Sequence, residues 1–189
     1  MIPSDIRDYV KVYKNFFDKE FCKNIIKEIT NNTWEKHSFS TYRQELIQNE
    51  NELSVSWDEN KLKQELQNKL WYAIERYILK DFNNFNTWFE SWNGYTSIRF
   101  NKYDKNTKMK EHCDHIHSMF DGKIKGIPTL SIVGCLNSNY EGGEFIMWQT
   151  EEIKIPEGAI LIFPSNFMYP HKVNPVTKGT RYSYVSWVY

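Results

Sequence analysis

The second half of this chain is a series of short apolar segments separated by turn-forming residues, and that pattern limits the fold more than any other feature. Strand-like stretches cover residues 96–103, 108–114, 129–136, 143–148, 152–155, 159–163, 169–173 and 180–189. A turn at 104–107 separates the first two. Gly142-Gly143, Pro156-Glu157-Gly158, Asn174-Pro175 and Lys178-Gly179 punctuate the later ones. Glycine and proline in such clusters stop a strand and reverse the chain. Several short strands with regular turns point to a sandwich or barrel.

The first half reads differently. Phe21, Cys22, Ile25, Ile26 and Ile29 recur at helical spacing, and Asp18 is placed to cap that helix. Leu62, Leu66, Leu70, Ala73, Ile74 and Tyr77 make one apolar stripe, with Asp58 as its expected cap. Residues 34–53 are polar and aperiodic and read as a loop. The expectation is one domain over residues 1–189, mainly β with flanking helices (α+β). Residues 1–83 form a helical support and residues 84–189 the strand core.

Lys plus Arg is 24 and Asp plus Glu is 24, so the net charge is zero. No global field draws the chain to nucleic acid or to an anionic membrane. Three cysteines, Cys22, Cys113 and Cys135, form no C-x-x-C pair, which disfavours a disulfide scaffold or Cys-rich zinc site. The first residues lack a secretory leader pattern. The longest apolar runs are far too short to span a bilayer. The chain reads as a soluble cytoplasmic protein, monomer or homodimer.

The chemistry centres on His112-Cys113-Asp114. In a strand, residues i and i+2 share a face, so an imidazole and a carboxylate project together. A third ligand from another strand completes two histidines and one carboxylate. That set holds one face of an octahedral metal and leaves the opposite positions open. The His-x-Asp spacing alone is weak; its context is stronger. His171 lies on a later segment and Arg181 ten residues beyond it. The intervening turn residues suggest adjacent antiparallel strands, about 5 Å apart. A guanidinium near the metal suits a carboxylate. Arg181, Ser183, Val185 and Trp187 share one strand face, and Tyr182, Tyr184 and Ser186 the other. A local zinc cluster of His112, Asp114, His115 and His117 is a competing reading, although opposite strand parity separates its two halves.

Several elements recur in a known order: Arg99-Phe100-Asn101-Lys102-Tyr103, His112-Cys113-Asp114, Leu136-Asn137, Tyr140-Glu141-Gly142-Gly143-Glu144-Phe145, Ile162-Phe163-Pro164, His171-Lys172-Val173 and Thr180-Arg181-Tyr182-Ser183. In these the chain resembles the 2-oxoglutarate/Fe(II)-dependent dioxygenases, in their prolyl 4-hydroxylase-like branch. The resemblance implies a double-stranded β-helix (jelly-roll) core. It implies iron ligation by His112, Asp114 and His171, and a salt bridge from Arg181 to the distal carboxylate of 2-oxoglutarate. By position Tyr103 lies near the co-substrate, and Ser183 is a candidate donor to it. Val133, Cys135 and Trp187 are candidate pocket lining. Cys135 stands where the family often has a co-substrate-binding tyrosine.

The implied activity consumes 2-oxoglutarate and O2, with ascorbate as a possible reductant, and releases succinate and CO2. Relatives that halogenate lack the carboxylate ligand, so Asp114 favours hydroxylation. A prolyl residue in a peptide or protein is the first choice of substrate. A free amino acid, another protein side chain or a small metabolite is the alternative. A non-catalytic jelly-roll binding module is a further one.

Overall fold

The computed structural model describes residues 3–40, 45–83, 94–114 and 127–189. In chain order its strands are β1 (Lys11–Tyr13), β2 (Glu35–Lys36), β3 (Phe39–Ser40), β4 (Leu46–Ile47), β5 (Ser54–Ser56), β6 (Arg99–Tyr103), β7 (Met109–His112), β8 (Leu130–Cys135), β9 (Glu141–Gly142), β10 (Phe145–Met147), β11 (Glu151–Glu152), β12 (Ile160–Pro164), β13 (His171–Val173), β14 (Val176–Lys178) and β15 (Arg181–Val188). The helices are α1 (Lys19–Ile29) and α2 (Lys61–Arg76), the second continued by a π-turn over Tyr77–Asp81.

The large sheet runs β1-β12-β8-β15-β6-β5-β2 and the smaller one β11-β10-β13-β7. Two further pairs, β14-β9 and β3-β4, stand beside them. Alternation along the large sheet divides its side chains between two cores. Ile160, Ile162, Ile132, Phe100, Tyr184 and Val188 pack with Cys22, Ile25, Leu66, Leu70 and Ile74 of the helices. Leu161, Phe163, Val133, Tyr103, Val185 and Trp187 pack instead with Phe145, Met147 and Val173 of the smaller sheet. Both faces of the large sheet are therefore covered, which explains its nearly unbroken apolar strands. Among the described residues no helix is long and apolar enough to cross a membrane.

The helices follow their stripes. Asp18 caps α1, accepting a hydrogen bond from the Phe21 amide at 2.7 Å. At α2 the expected cap is displaced by two residues. Asn60, not Asp58, accepts from the Lys63 amide at 2.7 Å, while Asp58 accepts from the Thr33 amide at 2.6 Å. Both side chains suit a cap, and the tie to Thr33 takes Asp58 out of the competition.

The first 83 residues are not wholly helical. β1, β5 and β2 join the two edges of the large sheet, and β3 pairs with β4 in the stretch read as a loop. Strands of two or three residues are too short to show a period of two. The other departure matters for the site. His171 and Arg181 do not lie on adjacent strands: β13 pairs with β10 and β7, whereas β15 pairs with β6 and β8. The expected turn holds a strand, β14, which pairs with β9. The chain thereby passes from one sheet to the other.

Gly134 shows how tightly the centre is packed. It pairs with Tyr184 across β8 and β15, and a Cβ on Gly134 would lie 1.9 Å from a ring carbon of Tyr184. Gly134→Ala should cost about 1–3 kcal/mol through this overpacking. Urea unfolding checks the value, and an unchanged midpoint would contradict the packing described.

Candidate active site

The site begins with an irregularity between β7 and β13. Met109 lies opposite Val173, and His112 opposite His171. One residue, Lys172, separates the pairs on β13, but two, Lys110 and Glu111, separate them on β7. The extra residue is a β-bulge. Regular alternation from Met109 would turn Glu111 to the face of His171. The bulge turns His112 there instead and leaves Glu111 exposed.

Asp114 lies two residues beyond the end of β7 and completes the group. His112 Nε2 is 3.5 Å and His171 Nε2 3.9 Å from Asp114 Oδ1. Ligand atoms of the three residues all fall within 4.8 Å of one another. Each imbidazole ring is aimed by a backbone carbonyl two residues earlier. His112 Nδ1 is 2.9 Å from the Lys110 oxygen and His171 Nδ1 3.0 Å from the Tyr169 oxygen. A carbonyl only accepts, so Nδ1 carries the proton and Nε2 presents its lone pair. Phe145 stacks on His171 at 5.2 Å, and Phe39 packs edge-on to His112 at 5.6 Å.

The electrostatics suit a cation. Burial opposes the charge on Asp114, but His171, His112 and the Ser131 hydroxyl outweigh it and hold its carboxyl well below the usual range. Ser131 Oγ donates to Asp114 Oδ2 at 2.5 Å, leaving Oδ1 nearest the imidazoles. Burial lowers His171 to about 4, Asp114 opposing, so its ring is neutral at neutral pH. A buried carboxylate beside two imidazoles is the donor set of a metal centre with open positions.

At the other end of the pocket Arg181 is buried. Its Nη1 donates to Ser183 Oγ at 3.0 Å, and its guanidinium lies 5.0 Å from the Tyr103 ring centre. Its Nε is buried without an acceptor, and no acidic group pairs with it among the described residues. A buried cation without a counter-ion is costly, and a bound carboxylate relieves that cost. Gly143, at φ +67°, makes room: a Cβ there would lie 3.0 Å from Arg181 Cδ. Tyr140 stands between Arg181 and Cys135, with its hydroxyl 3.7 Å from Cys135 Sγ. Burial pushes the Tyr140 phenol up to about 12, with Arg181 opposing, so it remains a donor.

His112, Asp114, His171, Arg181, Tyr103, Ser183, Val133 and Trp187 line one pocket. Cys135, expected as pocket lining, is not among the lining residues; it is buried, paired with Ser183 across the strands, with its Sγ 3.2 Å from the Asn137 oxygen. Of the local zinc reading, His115 and His117 lie outside the described residues. Among the described residues the one group of three metal-ligating side chains is His112, Asp114 and His171. Sequence reasoning missed Ser131, Tyr140 and Arg99 as parts of the site. The parity of β6 and β8 could have flagged Arg99 and Ser131. Tyr140 opens one of the family-like elements, but it precedes β9 and no strand alternation turns it toward the pocket.

Residues 98–189, just under half of the chain, match the model of the 2OG-Fe(II) oxygenase superfamily. A PKHD-type hydroxylase of Delftia acidovorans is 30% identical over 97 residues, 48% of this chain and 42% of that protein. One of Xylella fastidiosa is 35% identical over 107 residues, 48% of this chain and 43% of that protein. The chain thus spans under half the length of these curated relatives. A Trichoplax adhaerens prolyl hydroxylase, solved with a hypoxia inducible factor peptide fragment, aligns at a TM-score of 0.73 and 17% identity, over 96% of this chain and 84% of that one. A Pseudomonas putida prolyl-4-hydroxylase aligns at 0.66 and 16%, over 95% and 91%. The fold is the double-stranded β-helix, mostly β with two flanking helices.

Two outcomes follow. Ser131→Ala should leave the fold intact and weaken Mn(II) or Co(II) binding about 10–100-fold, the usual range for losing a group that orients a ligand; calorimetry reads this, and unchanged affinity would remove the role given to Ser131. Burial also lowers His37 to about 3. Both His37 and His171 have folded-state values below the ordinary 6.5. Their contribution to stability is complete above pH 6.5 and is lost as pH falls toward those values. Chelated protein should lose on the order of 2–4 kcal/mol between pH 7 and pH 5; equal unfolding midpoints at both would contradict it.

Proposed function

We propose that the chain is an Fe(II)- and 2-oxoglutarate-dependent dioxygenase that hydroxylates prolyl residues. One observation carries this reading: a two-histidine, one-carboxylate group shares a pocket with a buried arginine that lacks an acidic partner among the described residues. The Pseudomonas putida and Trichoplax adhaerens neighbours are prolyl hydroxylases, which supports a prolyl substrate, and the peptide in the Trichoplax complex supports a peptide or protein.

In this reading His112, Asp114 and His171 hold one face of the iron, with their Nδ1 anchors and Ser131 fixing their aim. Arg181, with Ser183 and Tyr140 around it, binds the distal carboxylate of 2-oxoglutarate. Tyr103 supplies the apolar floor under that carboxylate, its ring 5.0 Å from the guanidinium. Val133, Val185 and Trp187 form walls that exclude water. When bound, iron, 2-oxoglutarate and O2 supply the oxidative decarboxylation to succinate and CO2 that is coupled to insertion of one oxygen atom into a C–H bond. Ascorbate serves as external reductant. The three thiols are all free, which suits a reducing, cytoplasmic setting. The whole of residues 1–189 acts as one domain in this scheme.

Purified protein given Fe(II), 2-oxoglutarate and proline-containing peptides should form succinate and add one oxygen atom to the peptide. Absence of succinate under every condition would favour a binding module. Arg181→Ala should weaken 2-oxoglutarate binding by about 1.5–3 kcal/mol, as for a hydrogen bond to a charged group, and spare metal binding. His171→Ala should abolish metal binding; retained affinity would point to the local His115/His117 cluster instead.

A further inference from the structure

The same pocket contains a second guanidinium that the scheme above does not use. Arg99, Asn101 and Tyr103 alternate along β6 and all line the pocket. Tyr103 pairs with Arg181 and Arg99 with Val185. The two arginines therefore leave their strands roughly 13 Å apart along the sheet, at about 3.3 Å per residue. The Arg99 guanidinium extends farther still, lying 5.3 Å from the Trp187 ring centre. Trp187 in turn pairs with Ser131, the residue that holds Asp114. Arg99 thus sits at the metal end of the pocket and Arg181 at the opposite end. A keto acid stretched between Arg181 and the metal leaves Arg99 beyond it.

Among the described residues no acidic side chain forms an ion pair with Arg99. It is half-buried, and its Nε donates to Asn101 Oδ1 at 3.1 Å. Burial pulls it below its ordinary pKa, with Tyr103 and Asp114 opposing. Asp114 is engaged by Ser131 and faces the imidazoles, so it is not that counter-ion. The guanidinium lies over the Trp187 ring, and its planar fork can donate two hydrogen bonds to one carboxylate.

We infer that Arg99 binds a carboxylate carried by the substrate, close to the carbon that is oxidised. This rests on the prolyl hydroxylase reading and narrows it. An internal prolyl residue offers only amide groups there; free proline or the C-terminal proline of a peptide offers the required anion. Arg99 is then a specificity-determining residue in contact with substrate.

The test uses the full chain loaded with Zn(II), to prevent turnover, and saturated with 2-oxoglutarate. N-acetyl-L-proline and its amide are titrated while the arginine side-chain Nε–H resonances are followed by NMR. The acid should shift the Arg99 signal, the amide should not, and Arg99→Gln should weaken acid binding at least tenfold. With Fe(II), free proline and a peptide ending in a free proline carboxylate separate the two sources of the anion. Whichever is used should stimulate succinate formation over its amide, and Arg99→Gln should raise its KM at least tenfold while changing the KM for 2-oxoglutarate less than twofold. The inference fails if acid and amide behave alike, or if Arg99→Gln weakens 2-oxoglutarate itself tenfold, since Arg99 would then serve the co-substrate. If the acid shifts Arg99 but no prolyl compound stimulates turnover, the carboxylate site stands and the prolyl reading falls.

Discussion

The structure depends on β15 being paired on both sides, with β8 along one edge and β6 along the other. That double pairing fixes its register, and register decides which side chains reach the pocket. Arg181, Ser183, Val185 and Trp187 point inward as a set, while Tyr182, Tyr184 and Val188 pack toward the helices. A slip of one residue would exchange the two sets completely. The dense packing of Tyr184 over Gly134 resists such a slip from the side away from the site.

Charge in the pocket is arranged by depth. The single carboxylate among the ligands is steadied by a hydroxyl and two imidazoles, and each imidazole takes its orientation from its own local backbone. No second acidic side chain pairs with Arg181 or Arg99 among the described residues. The pocket therefore carries two guanidinium groups beside the cluster of His112, Asp114 and His171.

Much of this was legible in the sequence. That His112, Asp114 and His171 come together was anticipated from residue type and from the order of the family-like elements, and the shared facing of Arg181, Ser183, Val185 and Trp187 from strand alternation. Alternation is short-range geometry and needs no knowledge of the sheet order. The adjacency of His171 and Arg181 did not survive. Asn174-Pro175 and Lys178-Gly179 are turn residues in either topology, and three residues of β14 carry too little pattern to reveal a crossing between sheets. The cap at Asn60 was missed because Asp58 is an equally good cap by chemistry, and only the contact with Thr33 decides between them. Tyr140 acts through neighbours distant in sequence, so no local signal assigns its role, whereas alternation with Val133 along β8 already puts Ser131 on the pocket face.

The bulge in β7 acts as a selector of ligand chemistry. Lys110, Glu111 and His112 are consecutive, and the one supernumerary position determines whether a carboxylate or an imidazole meets the opposing strand. Regular pairing of the same sequence from Met109 would present Glu111 beside His171. The centre would then carry an extra negative charge and one fewer nitrogen donor, shifting its preference toward harder cations. The path of the chain across one bulge thus sets which donor meets the opposing strand, with no change in residue identity.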